Sequence, residues 1–321
     1  MYLRPIILLI AAVLSASIAV AQQAPSQEEN IPFLCTFSKA ADKSWGDDDN
    51  VQIIFFVMPA TEKNPVYIKI FDPNNGGKHD EGHGPFNSKT RFSVYGGLGA
   101  HSNPDAKKHD PEGNFKSGVQ LASKTFDADM TYDDKWFSLG PFNPVEGEMQ
   151  PDVGGYVFKV VIEGLDGDDG NLYRLFLSSD KTDNKPIEGG NMFTYEYSFR
   201  LSDVKNSVSH LYPFITSNLV AVKVNIFDFD NDGMVRLVSV AKRGDIAKVS
   251  GDAEWTVNTH EVIAQEYNTS FDIQFIKQKD AKNNNIVVFI TNQYNQLMPF
   301  YTSPIGGIPK YKYKIGVKVN N

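Results

Sequence analysis

From Pro32 onward the apolar residues of this chain recur with a period of two, the spacing of a strand with one face turned inward. In Val66–Phe71 the residues Val66, Ile68 and Ile70 share a face, and Phe92 and Val94 resume the pattern after a long polar stretch. Val51–Met58 is an unbroken apolar run, which suits a buried strand, and Trp136–Leu139 offers another short one. Tyr156–Glu163 and Leu172–Leu177 flank the pairs Asp166-Gly167 and Asp169-Gly170. Asp-Gly between alternating strands predicts a β-hairpin, because glycine accepts the positive φ of a tight turn.

The cleanest alternation sets Phe193, Tyr195, Tyr197 and Phe199 against Thr194, Glu196, Ser198 and Arg200. Such a stripe predicts the core face of a sandwich, the alternative being an exposed surface that stacks on sugar rings. Strands are expected again at Val220–Phe227, Met234–Val240, Phe271–Ile276, Ile286–Thr291 and Tyr311–Val319. The last puts Tyr311, Tyr313, Ile315, Val317 and Val319 on one face and Lys312, Lys314 and Lys318 on the other, as a protected edge strand would. No stretch of helix length carries a 3.6-residue period.

Short strands parted by Gly, Pro, Asn and Asp predict an all-β protein of two antiparallel β-sandwich domains, jelly-roll or immunoglobulin-like. The chain turns polar at Ser202–Ser209, which places the domains at residues 31–203 and 207–321. No sequence repeat is detectable between them.

The first residues are of another kind. Arg4, the apolar run Ile6–Val13 and the small residues ending Ala19-Val20-Ala21 predict a cleavable signal peptide over residues 1–21, the alternative being a retained N-terminal anchor. Residues 22–30 then predict a disordered polar leader. The apolar run is short for a membrane span, so a mature chain without a transmembrane segment is expected, exported to the periplasm, cell surface or medium. The single cysteine, Cys35, excludes an intrachain disulfide and is expected to be a buried small hydrophobe within Phe33–Phe37. A bridge-free exported chain that relies on its core suits a bacterial envelope. The formal net charge of −8 leaves no basic stripe for nucleic acid and favours cations.

Asp228-Phe229-Asp230-Asn231-Asp232-Gly233 places carboxylates at alternate positions before a glycine, a pattern that can converge on calcium. Asp228, Asp230, Asp232 and the Met234 carbonyl are the candidate ligands. The position where an EF-hand has its bidentate glutamate holds Ser239, so the loop is not an EF-hand. Val222, Val224 and Ile226 share a face while Phe227 and Phe229 are the better core residues, so the facing must flip near Ile226. A bland acidic hairpin turn is the competing reading.

The loop Asp72–Ser88 supplies Asp72, Asp80 and Glu81 as a second candidate set, against a solvated surface loop. Within it, His79-Asp80-Glu81-Gly82-His83 has glutamate at neither position a zinc-protease helix requires, and glycines surround it. With His101 and His109 it leaves a loop-built transition-metal site as an alternative. No G-x-S-x-G and no phosphate-binding glycine loop is present.

Ile54–Met58, VYIKIFDPNNGG and TRFSVYGG resemble the pre-peptidase C-terminal domains and related calcium-binding secreted β-sandwiches. That resemblance implies a non-catalytic accessory module with Asp72 and its loop as a metal site. The expectation is an exported binding protein with calcium-stabilised loops that engages an extracellular glycan or a surface protein. The rivals are a sandwich-fold polysaccharide hydrolase or lyase using loop carboxylates, and a structural component of an envelope assembly.

Overall fold

The computed structural model describes residues 22–311, so the segment 1–21 and all but the first residue of the strand expected at Tyr311–Val319 lie outside it. Among the described residues helix is confined to short 3-10 turns, and no helix is long and apolar enough to cross a membrane. The protein is all-β, built of two antiparallel sheets.

The first sheet runs Trp255–Glu261, Ala221–Phe227, Asn285–Asn292, Glu196–Arg200, Phe33–Phe37, Gly170–Ser178, Val66–Phe71, Trp136–Phe142. The second runs Asp245–Ala247, Gly233–Val238, Asp272–Lys277, Val208–Ile215, Phe300–Tyr301, Asn191–Thr194, Val51–Pro59, Gly155–Gly164, Thr90–Gly96, Val119–Phe126. One apolar cluster joins them. It takes Ile68, Ile70, Leu175, Val224, Ile226 and Val288 from the first sheet, and Ile54, Phe56, Val160, Ile273 and Phe275 from the second. Burying whole aliphatic and aromatic side chains at about 1.5–3 kcal/mol each makes this layer the main source of stability.

The two strand orders contain a repeat. Leaving aside the short strands Glu148–Gln150 and Thr269–Ser270, the nine strands from Phe33–Phe37 through Asn191–Thr194 have the same neighbours as the nine from Glu196–Arg200 through Phe300–Tyr301. Val66–Phe71 lies between Gly170–Ser178 and Trp136–Phe142, as Ala221–Phe227 lies between Asn285–Asn292 and Trp255–Glu261. The units join through their first strands (Phe199 opposite Leu34) and through their last (Phe193 opposite Tyr301), so both sheets run on from one unit into the other. The topological division falls at Tyr195, upstream of the polar stretch at Ser202–Ser209.

That division splits the aromatic stripe. Asn191–Thr194 belongs to the second sheet and Glu196–Arg200 to the first, so the chain changes sheets at Tyr195. All four aromatics are buried, but Tyr197 and Phe199 enter the central layer. Phe193 and Tyr195 join a separate cluster with Phe55, Val157 and Ala106 on the outer face of the second sheet. A period of two survives a sheet switch; the identity of the buried face does not.

The hairpin expected between Tyr156–Glu163 and Leu172–Leu177 does not form. Its turn does, with Gly167 at φ 88°, but the flanking strands lie in different sheets. Asp169 anchors the crossing by accepting the amides of Asn87 and Ser88 at 2.8 and 3.0 Å. A local turn signal specifies the reversal, whereas the partners are chosen by burial. Residues 22–30 are likewise held in place. Gln23–Ala24 pairs with Phe176 and Leu175, and Glu29 is fully buried, its carboxylate accepting the Ser26 amide at 2.7 Å. Cys35 is buried and free, as its neighbours predict.

Candidate metal centres and an open groove

The equivalent strands Val66–Phe71 and Ala221–Phe227 end alike, each in Ile-Phe followed directly by Asp. Phe71 pairs with Trp136 and Phe227 with Trp255, their rings 5.4 and 5.1 Å apart. The next residues, Asp72 and Asp228, adopt positive φ of 55° and 58°, a conformation Asp tolerates better than most residues. This supplies the change of facing needed near Ile226. The strand stops instead of bulging, and Phe229 drops into the core with 0% exposure.

Around Asp72, ligand atoms of Asp72, His79 and Asp134 lie within 4.8 Å of one another. Asp72 is fully buried and both its carboxylate oxygens lack a hydrogen-bond partner. Burial, then the charge of Asp133, pushes its carboxyl up to about 6, against the opposing pull of His79. His79 Nε2 is 2.8 Å from Asp134 Oδ1. A buried carboxylate with both oxygens unpaired is costly unless a cation compensates it.

Around Asp228 the partners are Asp230 and Asp252, again with ligand atoms within 4.8 Å. Asp228 Oδ1 accepts the Ala253 amide at 2.6 Å. Burial, then the charges of Asp230 and Asp252, holds its carboxyl near 7, against the pull of that amide. Asp232 turns elsewhere: Oδ2 accepts Asn284 Nδ2 at 2.9 Å and Oδ1 lies 3.2 Å from Lys279. Met234 sits in the strand Gly233–Val238 opposite Ile276. Asp252, which joins the cluster in their place, lies 24 residues beyond Asp228 in the chain.

Asp80 and Glu81 bind their own loop to the sheet. Asp80 Oδ2 accepts the Gly76 amide at 2.6 Å and Oδ1 the Leu172 amide at 2.7 Å. Glu81 exchanges backbone hydrogen bonds with Gly170 at 2.9 Å each and forms a buried ion pair with Arg200. The histidines disperse. His83 stacks on Trp45 at 3.4 Å, His101 lies 3.2 Å from the Tyr195 hydroxyl, and His109 stacks on Phe289 at 4.1 Å.

His260, Glu266 and Ser239 contain the residue types of a hydrolytic triad, in the wrong order and out of reach of substrate. His260 Nε2 is 3.0 Å from Glu266 Oε1, and Ser239 donates to the same oxygen instead of to the imidazole. His260 and Glu266 are both 1% exposed at their side chains. Burial raises the Glu266 carboxyl, but the hydrogen bonds from His260, Ser239 and the Ile263 amide outweigh it and bring it to about 2. The stabilisation is therefore present above the ordinary glutamate value and is lost as pH falls through about 2. Acid unfolding followed by circular dichroism should show Glu266→Gln removing roughly 3 kcal/mol of the stability lost below about pH 4.5.

An open depression lies on the outer face of the first sheet. A groove of about 530 Å³ is lined by His109, Lys223, Asn225, Val257, Phe289 and Thr291, with Asn295 and Leu297 at one end. Trp255, 40% exposed, lies with its ring 5.0 Å from that of Phe289. Lys223 Nζ is steadied by Asn295 Oδ1 at 2.7 Å. Nothing in the sequence marked this face, because its residues come from three strands and a distant loop.

No protein-family model and no curated protein matches the chain. Among solved structures it is similar to the N-terminal tandem domain CBM22-1-CBM22-2 of Paenibacillus barcinonensis Xyn10C. The identity is 10%, the match covers 75% of this chain and 77% of that one, and the TM-score is 0.18. At that score the likeness carries no argument about ligand or activity.

Proposed function

We propose that this chain is an exported, non-catalytic binding protein whose acidic loops hold calcium and whose outer groove takes an extracellular glycan. The observation that carries this reading is the groove itself. Its lining sets the Phe289 ring beside the side-chain amides of Asn225 and Asn295 and the ammonium of Lys223, and the half-exposed Trp255 packs against Phe289 next to it. Flat apolar rings suit the C–H faces of a sugar, and fixed amides and a cation suit its hydroxyls and any carboxylate it bears. The acidic centres at Asp72 and Asp228 support the calcium part, since oxygen-rich sets suit a hard cation. The likeness of VYIKIFDPNNGG to calcium-binding secreted sandwiches points the same way.

Affinity gels cast with soluble neutral and uronic-acid polysaccharides test it. Retardation by at least one polymer is expected, and Trp255→Ala should weaken it by about 1.5–3 kcal/mol, roughly ten- to a hundredfold. Equal retardation of wild type and Trp255→Ala would remove the groove from the account.

A further inference from the structure

The repeat supplies a second view of the groove. Aligning the two Ile-Phe-Asp segments sets Lys69 of Val66–Phe71 against Asn225 of Ala221–Phe227, and the pairing registers carry the match across the sheet. The row Ser138–Lys69–Phe176 of the first unit then corresponds to the row Val257–Asn225–Phe289 of the second. Trp136 corresponds to Trp255, and each tryptophan packs on its phenylalanine, with ring centroids 6.2 and 5.0 Å apart. The strand neighbours Ile68, Ile70, Val224 and Ile226 enter the central core, so both rows face outward.

The two rows differ in what lies over them. In the first unit the connection 179–190 crosses the face. Lys69 Nζ donates to the Thr182 carbonyl at 2.8 Å, and Ser138 Oγ to the Lys181 carbonyl at 2.7 Å. Lys69 is 1% exposed and Phe176 3%. In the second unit the shorter connection 293–299 turns back on its own strand, with Leu297 bridged to Thr291, and the row stays open in the groove. The protein thus covers one aromatic pair with its own carbonyl oxygens and leaves the other bare.

The open row is also one-sided in charge. In a chain of net charge −8 the groove lining has no carboxylate, and its ionisable groups are Lys223 and His109. Lys223 is held by the neutral Asn295 amide oxygen and, among the described residues, forms no ion pair. Glu196 lies beside Phe289 in the sheet, but it is buried, and burial strongly opposes its ionisation.

We propose that the groove selects a uronic-acid glycan, with a sugar ring on Phe289 beside Trp255 and its carboxylate on Lys223, in the place that the connection 179–190 fills in the first unit. This rests on the glycan-binding reading and names the sugar class. The first unit shows what such a face accepts: oxygen acceptors presented to an ammonium and a hydroxyl over an aromatic pair. In the second unit the ammonium stands one row along, at Lys223, with the Thr291 hydroxyl opposite it in the sheet. A carboxylate offers the same acceptors with a full charge, and a charge-assisted hydrogen bond is about twice as strong as a neutral one.

Isothermal calorimetry on the full chain tests this with short oligomers of galacturonic, mannuronic and glucuronic acid, each against its methyl ester. At least one free acid should bind roughly tenfold or more tighter than its ester. Lys223→Met should abolish that difference and Lys223→Arg should keep it, with Lys223→Gln standing in if the methionine variant unfolds. Acids and esters that bind alike, or a difference that survives in folded Lys223→Met, would overturn the proposal and leave the glycan reading standing. Binding of polyglutamate in place of every sugar would assign the groove to an acidic peptide and overturn both, as would the binding of no glycan at all, charged or neutral.

Discussion

Replacing Arg200 with methionine is expected to cost about 3–5 kcal/mol of stability, the largest effect of any single surface-remote charge change here. Arg200 ends the first strand of the second unit, and its side chain is 9% exposed. Its guanidinium donates to Asn285 Oδ1 at 2.6 Å and to Asn283 Oδ1 at 3.1 Å, and it closes on Glu81 from the first unit's long acidic loop. Glu81 Oε2 also accepts Asn285 Nδ2 at 3.0 Å. Removing the cation leaves the 7% exposed Glu81 carboxylate with Asn285 and with His83 Nε2, 3.3 Å from Oε1, and the penalty is that of the poorly compensated buried charge more than of the lost pair. The double variant Arg200→Met, Glu81→Leu should therefore recover most of the loss. Urea unfolding of the three proteins checks this. A single variant within about 1 kcal/mol of wild type would show that the loop is held by its backbone bridge to Gly170 instead.

Calcium is expected to raise the melting temperature, and chelator to lower it, because the ion binds folded carboxylate clusters that the unfolded chain disperses. At a hundredfold excess over Kd each centre contributes about 2.7 kcal/mol, so the centres at Asp72 and Asp228 together amount to roughly 5 kcal/mol. At about 2 °C per kcal/mol for a chain this long, the melt should move by roughly 10 °C. Asp72→Asn and Asp228→Asn should each lose close to half of that response. Asp72→Asn should also melt higher than wild type in chelator, because it removes a buried carboxylate that is unpaired without the ion. A wild-type melt indifferent to both calcium and chelator would dismiss the metal centres.

Much of the fold could be read in advance. Val66–Phe71, Ile286–Thr291 and the Phe193–Phe199 alternation announce strands, because a half-buried pleat needs apolar residues at every second position. The acidic centres were half legible. Asp72, Asp228 and Asp230 stood out by following strands directly or by alternating, whereas Asp134 and Asp252 lie tens of residues from their partners and looked like ordinary loop acids. Asp232, Asp80 and Glu81 carried the same local signal and went to Lys279, to backbone amides and to Arg200. Nothing local distinguishes a carboxylate that will meet a lysine from one that will meet another carboxylate.

The repeat shows the same limit from the other side. Two nine-strand units share their connectivity with no recognisable likeness in sequence beyond fragments such as Ile-Phe-Asp and the paired tryptophans. Strand pairing is a property of backbone and burial, so it tolerates nearly any apolar residue at an inward position. The amino-acid order by itself determined the strand class, the acidic character of the loops and the burial of Cys35, all of which depend on neighbours a few residues apart. Only the folded chain decided which sheet each strand joined, which carboxylates met, and that Phe289 and His109 would line one groove with Trp255 packed beside Phe289. Those outcomes depend on contacts between segments far apart in the chain, and such contacts are selected by how the whole core packs.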